Sequence, residues 1–357
     1  MPNSRGSTPA RDPPPPSKRR SITSHFFSWV HNKVVEIRGL FGNPTKSVTD
    51  FLLNALSRLT KFIPERPDKS RRAGQEIENP QTAEDFKRNL DIIIRNSDLG
   101  VFYSNEYLDQ VAAKAAQLKN DPNNRLKGSD QLGSLAKLAL YQPVLYCDDS
   151  GSMAGDTEVA GVDRMSAQAE LVGRIADIAT RAAPGNEGVH LRFINQEVAY
   201  NDLSAAEIEA RIRFEPSGGT ALGQNLNTKV LKPLVYDVVD GGKRLARPLL
   251  ILTITDGCPN WPDTFRDEIR RCGRYLVEHG YQRTAVRFDL SQIGNDGDAA
   301  EFLKGLSQDE EIQDVLHCTA QHLDAKFSEF RGNDQKLEEW LLDKLTQPVR
   351  TVSRGPR

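Results

Sequence analysis

After Lys137 the chain alternates short strand-like runs, PVLYC and PLLILTIT the most apolar among them, with segments of helical period, and this alternation restricts the possible fold more than any other feature. Pro143–Cys147 (PVLYC), Val189–Ile194, Pro248–Thr255 (PLLILTIT), Thr284–Ile293 and Asp314–Thr319 each read as a strand, with Val198–Tyr200 as a short neighbour of the second. Arg164–Ala183, Ala205–Arg213, Ala221–Val239, Thr264–His279 and Asp298–Leu306 carry helical period between them, and Leu323–Phe330 and Gln335–Leu345 follow as closing helices. Ser204 and Glu207 have capping-box spacing, and Pro233 predicts an interruption or bend in its helix. Runs apolar along their whole length need cover on both faces, and strands separated by helices pair in parallel through right-handed crossovers. The expected fold class is therefore α/β: a three-layer, doubly wound, mostly parallel central sheet with helices on both faces, preceded by an N-terminal helical extension.

The rest of the chain divides by composition. Residues 1–23 are rich in Pro and Arg and are expected to be a disordered tail, because they cannot bury enough apolar surface to offset chain entropy. Residues 24–63 place Phe26, Phe27, Val30, Val34 and Ile37, then Phe51, Leu52, Ala55, Leu56 and Leu59, at helical spacing among basic residues; they read as basic amphipathic helices. Residues 64–81 form a charged linker, 82–141 a helical extension with Ser104 or Asn105 as an internal cap, 142–322 the principal domain, and 323–357 the C-terminal helices and tail. The hydrophobic fraction of 38% fits a chain that is not packed throughout. Residues 1–72 carry 14 Lys/Arg against 5 Asp/Glu, a net +9, which leaves -11 for the remainder of a chain whose net charge is -2. A basic amphipathic arm of this kind makes residues 24–63 a candidate for contact with an anionic membrane surface. Nucleic acid is not an expected partner, since the body is acidic and the arm lacks interleaved aromatic and Arg repeats.

Cys147, Cys258, Cys272 and Cys318 form no C-x-x-C pair and no His cluster accompanies them, so free thiols rather than zinc ligands are expected. With no signal-type apolar segment at the N-terminus, the expected location is intracellular and cytoplasmic.

Ligands of parallel sheets bind at the carboxyl ends of strands. Three polar clusters fall there. Asp148-Asp149-Ser150-Gly151-Ser152 follows the first strand, Thr255-Asp256-Gly257 follows the most apolar one, and Ser217-Gly218-Gly219-Thr220 opens a helix between them. Alternate residues of a loop can point the same way, so Asp148, Ser150 and Ser152 can converge, while Gly151, Gly218 and Gly219 permit tight turning and close approach. Carboxylate and hydroxyl oxygens suit a small hard cation: Mg2+ first, with Mn2+ and Ca2+ as the other candidates. An open coordination position would attract an anionic oxygen from outside.

D-x-S-G-S after one apolar strand, G-G-T opening a helix and T-D-G after a second strand, at separations of 72 and 108 residues from Asp148, resemble the metal-ion-dependent adhesion site of von Willebrand factor A domains over roughly residues 142–322. The Tyr-Cys-Asp-Asp-Ser-Gly-Ser-Met block is similar to that of intracellular fungal members. The resemblance implies metal ligands at Asp148, Ser150, Ser152, Thr220 and Asp256. The hydroxyls of Ser150, Ser152 and Thr220 would bind directly, and Asp148 and Asp256 directly or through water. It also implies a protein partner that completes the shell with an Asp or Glu, and an adhesion or scaffold role without catalysis.

Two other readings stand beside it. The arm at 24–63 could make the chain a membrane-associated scaffold. An Asp after the first strand could be the nucleophile of an aspartate-based hydrolase, although the position two residues on, where such enzymes place a second acid, is Ser150. No dinucleotide-binding G-x-G-x-x-G follows the first strand, and neither a phosphate-binding G-x-x-x-x-G-K-[ST] nor a serine elbow is evident.

Overall fold

The computed structural model describes residues 76–350 apart from 98, 158–160, 186 and 320. The tail at 1–23, the amphipathic arm at 24–63, the linker up to residue 75 and the last seven residues lie outside the described residues. Helices α1 (Ala83–Ser97), α2 (Asn105–Leu118) and α3 (Ser129–Leu138) come first. They are followed by β1 (Gln142–Cys147), α4 (Arg164–Thr180), β2 (Val189–Phe193), β3 (Tyr200–Leu203) and α5 (Ala205–Arg211). Next are α6 (Leu222–Asn225), a π-helical stretch (Leu226–Tyr236) and α7 (Asp237–Asp240). The last group is β4 (Leu249–Thr255), α8 (Pro262–Glu278), β5 (Val286–Gln292), α9 (Gly297–Ser307), β6 (Leu316–Thr319), α10 (Leu323–Glu329) and α11 (Asp334–Thr346).

The six strands form one sheet in the order β3-β2-β1-β4-β5-β6, with every pairing parallel except β2 with β3. The doubly wound α/β expectation is met, and the physical cause is visible in single residues. Along β1, Leu145 and Cys147 join one apolar cluster and Val144 and Tyr146 the other. Along β4, Leu250, Leu252 and Ile254 face the first cluster, Leu249 and Ile251 the second. Side chains of successive strand residues point to opposite faces, so a continuous apolar run feeds two cores at once. Helices α1 to α4, α10 and α11 cover the first face, and α8, α9 and the π-helical rod the second.

Local capping is as the sequence suggests. The Ser104 side chain accepts the Tyr107 N–H at the start of α2, and Ser204 with Glu207 closes a capping box on α5. One feature differs from expectation. The short neighbour of β2 is Tyr200–Leu203 rather than Val198–Tyr200, and it runs antiparallel as an edge strand that turns the chain back. Ser129–Leu138, within the expected helical extension at 82–141, is a helix in its own right, although Gly133 weakens its local propensity. At Pro233 the expected interruption takes the form of a change of winding: the α-helix gives way to π winding over Leu226–Tyr236, with the Asp237 N–H donating to the Lys232 carbonyl five residues back. A proline lacks an N–H and its ring crowds the carbonyl one turn earlier, and the wider winding accommodates both.

Strand β5 departs from the apolar rule on one face. Val286, Phe288 and Leu290 enter the second core, while Arg287, Asp289 and Ser291 are buried on the other side. There Lys344 of α11 pairs with Asp289 Oδ2, His317 Nδ1 lies 2.8 Å from Asp289 Oδ1, and Arg287 donates to the Pro348 carbonyl at 2.7 Å. Burial alone would raise the Asp289 pKa, but Lys344 and His317 hold it below the ordinary carboxylate range. All four cysteines are free thiols. Among the described residues no helix is long and apolar enough to cross a membrane.

Candidate metal centre

The chain builds outward from β1 through β2 to β3, then returns to place β4 against the other side of β1. Connections leaving β1 and β4 therefore diverge to opposite faces and leave a crevice at their carboxyl ends, where open α/β sheets bind ligands. Asp148 is the first residue past β1 and Asp256 the first past β4.

Asp148 is still held by the sheet: its N–H donates to the Ile254 carbonyl at 2.9 Å, and its own carbonyl accepts Gln168 Nε2 at 2.8 Å. Its carboxylate is fully buried. Oδ1 accepts the Ser150 N–H at 2.8 Å and Oδ2 accepts the Thr255 hydroxyl at 2.6 Å. Burial raises its pKa to about 6 against these donors, and the neighbouring Asp256 charge pushes in the same direction. The Ser150 and Ser152 hydroxyl oxygens are 3.0 Å apart, and Ser152 Oγ donates to Asp256 Oδ1 at 2.9 Å. Asp256 is also fully buried, and Arg164 Nη1 donates to its Oδ2 at 2.6 Å.

Thr220 arrives by a different route. Its loop is stapled to all three neighbouring strand ends through main-chain groups. The Ser217 N–H donates to the Asp149 carbonyl at 2.9 Å, Gly151 N–H to the Gly218 carbonyl at 3.0 Å, and Asn260 N–H to the Thr220 carbonyl at 3.0 Å. Asn195 Nδ2 donates to the Gly219 carbonyl at 3.0 Å. Glycine is required here: Gly218 sits at φ +93, and a Cβ on it would lie 2.9 Å from the Asn195 side chain, while one on Gly219 would lie 2.8 Å from Asn260 Oδ1. Behind Thr220, Tyr146 Oη donates to the Leu222 carbonyl at 3.0 Å, which ties the start of α6 to β1.

The structure thus brings Asp148, Ser150, Ser152 and Asp256 into one hydrogen-bonded chain. It places Thr220 on the adjoining loop, nearly buried, without a hydroxyl hydrogen bond to those four among the described residues. Asp149, to which the sequence assigns no role, is a clamp: its carboxylate accepts the N–H groups of Asn195 at 2.6 Å and Gln196 at 2.8 Å. Burial raises its pKa, while those two donors and the Lys229 charge act the other way.

Arg164, Gln168 and Thr255 are partners the sequence does not single out. Thr255 lies inside the T-D-G motif and is the most findable of the three. Arg164 and Gln168 come from a helix whose contact with these loops has no local sequence signal. Among the described residues no group of three or more His, Cys, Asp or Glu side chains could hold a metal; the set here is two carboxylates with hydroxyls.

The donor set fits a small hard cation. Every candidate side-chain donor is oxygen, and neighbouring ligands in an octahedron with Mg–O of roughly 2.0–2.1 Å are about 2.9 Å apart. The Ser150–Ser152 and Ser152–Asp256 spacings of 3.0 and 2.9 Å match that edge.

No protein-family model matches this chain, and no curated protein matches it. Among solved structures it is similar to the manganese-loaded TRAP protein of Plasmodium vivax, with a TM-score of 0.34 and 13% sequence identity over 54% of this chain and 72% of that one.

Proposed function

We propose that this chain is a divalent-metal-dependent protein-binding module of von Willebrand factor A type, acting as an adhesion or scaffold element rather than an enzyme. The observation that carries the reading is the Ser150–Ser152–Asp256 oxygen chain beside Asp148, four residues from two strands, closing at the β1/β4 crevice. Two fully buried carboxylates side by side are costly unless a cation or strong donors compensate them. Mg2+ would be held by the Ser150 and Ser152 hydroxyls, with Asp148 and Asp256 orienting them or bridging through water. Thr220 would add a third hydroxyl from a loop held by main-chain hydrogen bonds. When bound, the metal would supply Lewis-acid attraction for a carboxylate, which an Asp or Glu of a protein partner would provide. Mn2+ or Ca2+ could take the same oxygens. Four free thiols suit a cytoplasmic setting.

An aspartate nucleophile is the poorer reading. Asp148 is fully buried and both its oxygens are engaged, by Ser150 and Thr255, so neither faces an incoming phosphoryl group.

Calorimetry of Mg2+ and Mn2+ into the metal-stripped chain tests this. Asp148→Ala and Thr220→Ala should each abolish a measurable binding heat while leaving far-ultraviolet circular dichroism unchanged. Asp256→Asn should weaken binding more than Asp149→Asn, because Asp149 serves the Asn195–Gln196 loop rather than the oxygen cluster. Unchanged affinity in both alanine variants would remove the site. A pull-down with and without chelator then asks whether a partner depends on the metal.

A further inference from the structure

Arg164 has no part in the reading above, yet it is built into the site. It opens α4 directly after the cap residue Asp163. Besides the bond from Nη1 to Asp256 Oδ2 at 2.6 Å, Nη1 donates to the Ser152 carbonyl at 3.4 Å and Nε to the Asp156 carbonyl at 3.2 Å. Gly294 leaves room for it: a Cβ there, at φ +73, would lie 2.7 Å from Arg164 Nε. The guanidinium is therefore seated in a slot between the loop after β1 and the loop after β5, aimed at a carboxylate with no solvent exposure.

We propose that Arg164 is the resident cation of this site: it neutralises Asp256 while no metal is bound, and it holds metal affinity down because a divalent ion must enter beside a fixed positive charge. This inference rests on the metal-binding reading. The charge count gives it direction. Asp148 and Asp256 contribute two negative charges, which would balance a divalent ion by themselves; Arg164 adds one positive charge that the metal has to tolerate or displace. Asp149 does not alter the balance, since its carboxylate is engaged by two N–H groups and stands near Lys229. Like charges a few ångströms apart at a partly buried site repel strongly, and metal occupancy becomes conditional on metal concentration. The same residue compensates the buried Asp256, because a buried carboxylate that loses its partner is strongly destabilising.

Mn2+ binding to Arg164→Gln and to the wild-type chain, both stripped of metal, tests the proposal by calorimetry, with thermal unfolding in chelator and in excess Mn2+ as a second readout. Arg164→Gln should bind Mn2+ about tenfold or more tightly. In chelator it should melt below the wild type, and its Tm should rise more on adding Mn2+, because ligand binding stabilises in proportion to the logarithm of concentration over Kd. Gly294→Ala, which pushes the guanidinium out of its slot without touching an oxygen donor, should shift Mn2+ affinity in the same direction and decides the matter if Arg164→Gln does not fold. Equal or weaker Mn2+ binding by the variants, with the wild type binding normally, would overturn the proposal and leave the metal site standing. No Mn2+ binding by wild type or variants would overturn the metal site and this proposal together.

Discussion

Gly223→Ala should cost this protein about 3 kcal/mol, although alanine is the better helix former. Gly223 lies in α6, three residues after Thr220, and faces the start of α8. A Cβ there would stand 2.3 Å from Thr264 Oγ1 and 2.4 Å from both Phe265 N and Thr264 C, whereas ordinary contact begins at 3.4 Å. Two of the three obstructing atoms are backbone, so the relief is a separation of the two helices by about 1 Å rather than a rotamer change. That separation loosens Leu222, Leu226, Phe265 and Ile269, all fully buried. Overpacking costs typically about 1–3 kcal/mol, and the helix-propensity gain of up to about 1 kcal/mol offsets part of it. The loosened contacts bring the total back near 3. Gly173→Ala supplies the control: it is also helical, in α4, but its Cβ would meet nothing within 4 Å, so it should stabilise by about 0.5–1 kcal/mol. Urea unfolding followed by tryptophan fluorescence reads both. At an m-value of about 1–3 kcal/mol/M, Gly223→Ala should lower the midpoint by roughly 1 M or more, and Gly173→Ala should raise it slightly. Because α6 carries Thr220 at its entrance, Gly223→Ala should also weaken Mn2+ binding. If the Gly223 variant unfolds within about 1 kcal/mol of wild type, or if both variants lose stability equally, the close approach of α6 and α8 is not as described.

Three further outcomes follow from buried charge and titration. Burial pulls the His190 pKa down to about 4, and its Nδ1 accepts the Asp202 N–H at 3.3 Å. A histidine with a folded pKa below its unfolded value contributes stability that is whole above about pH 6.5 and is lost as pH falls toward 4, here about 2 kcal/mol between pH 7 and pH 5. His190→Gln should flatten the urea midpoint over that range by this amount, and an unchanged slope would contradict it. Lys344→Met should destabilise by about 3 kcal/mol or more by leaving Asp289 charged and buried, with partial recovery in the double variant carrying Asp289→Asn; an additive double variant would show the pair is not coupled. Asp149→Ala should cost about 2–4 kcal/mol in chelator, because two N–H groups lose their acceptor, and hydrogen exchange at Asn195 and Gln196 should speed up. Unchanged exchange at those two amides would count against the clamp.

Much of the fold is readable from short-range signals. The continuous apolarity of PLLILTIT predicts a doubly covered strand, and each of its residues is buried. The caps at Ser104 and Ser204 are interactions over three residues, so local spacing suffices to find them. The polar clusters after β1 and β4 are likewise visible, because a strand that runs out of apolar residues must stop there. Where the reading failed, distance in the chain was the cause. The antiparallel turn-back of β3 depends on its pairing with β2, which no local spacing announces.

What the amino-acid order determined by itself is the set of oxygens and the kind of element each one ends. Tertiary structure alone decided that β4 returns beside β1, which brings Ser152 within 2.9 Å of an Asp256 that is 104 residues away. It also chose Arg164 from many arginines as the cation on that carboxylate, made Gly223 a close approach and Gly173 an open surface, and left the Thr220 hydroxyl outside the hydrogen-bonded chain. Periodicity and capping act over three or four residues and are written locally, whereas charge pairing and steric contact are set by which segments the packed sheet brings together.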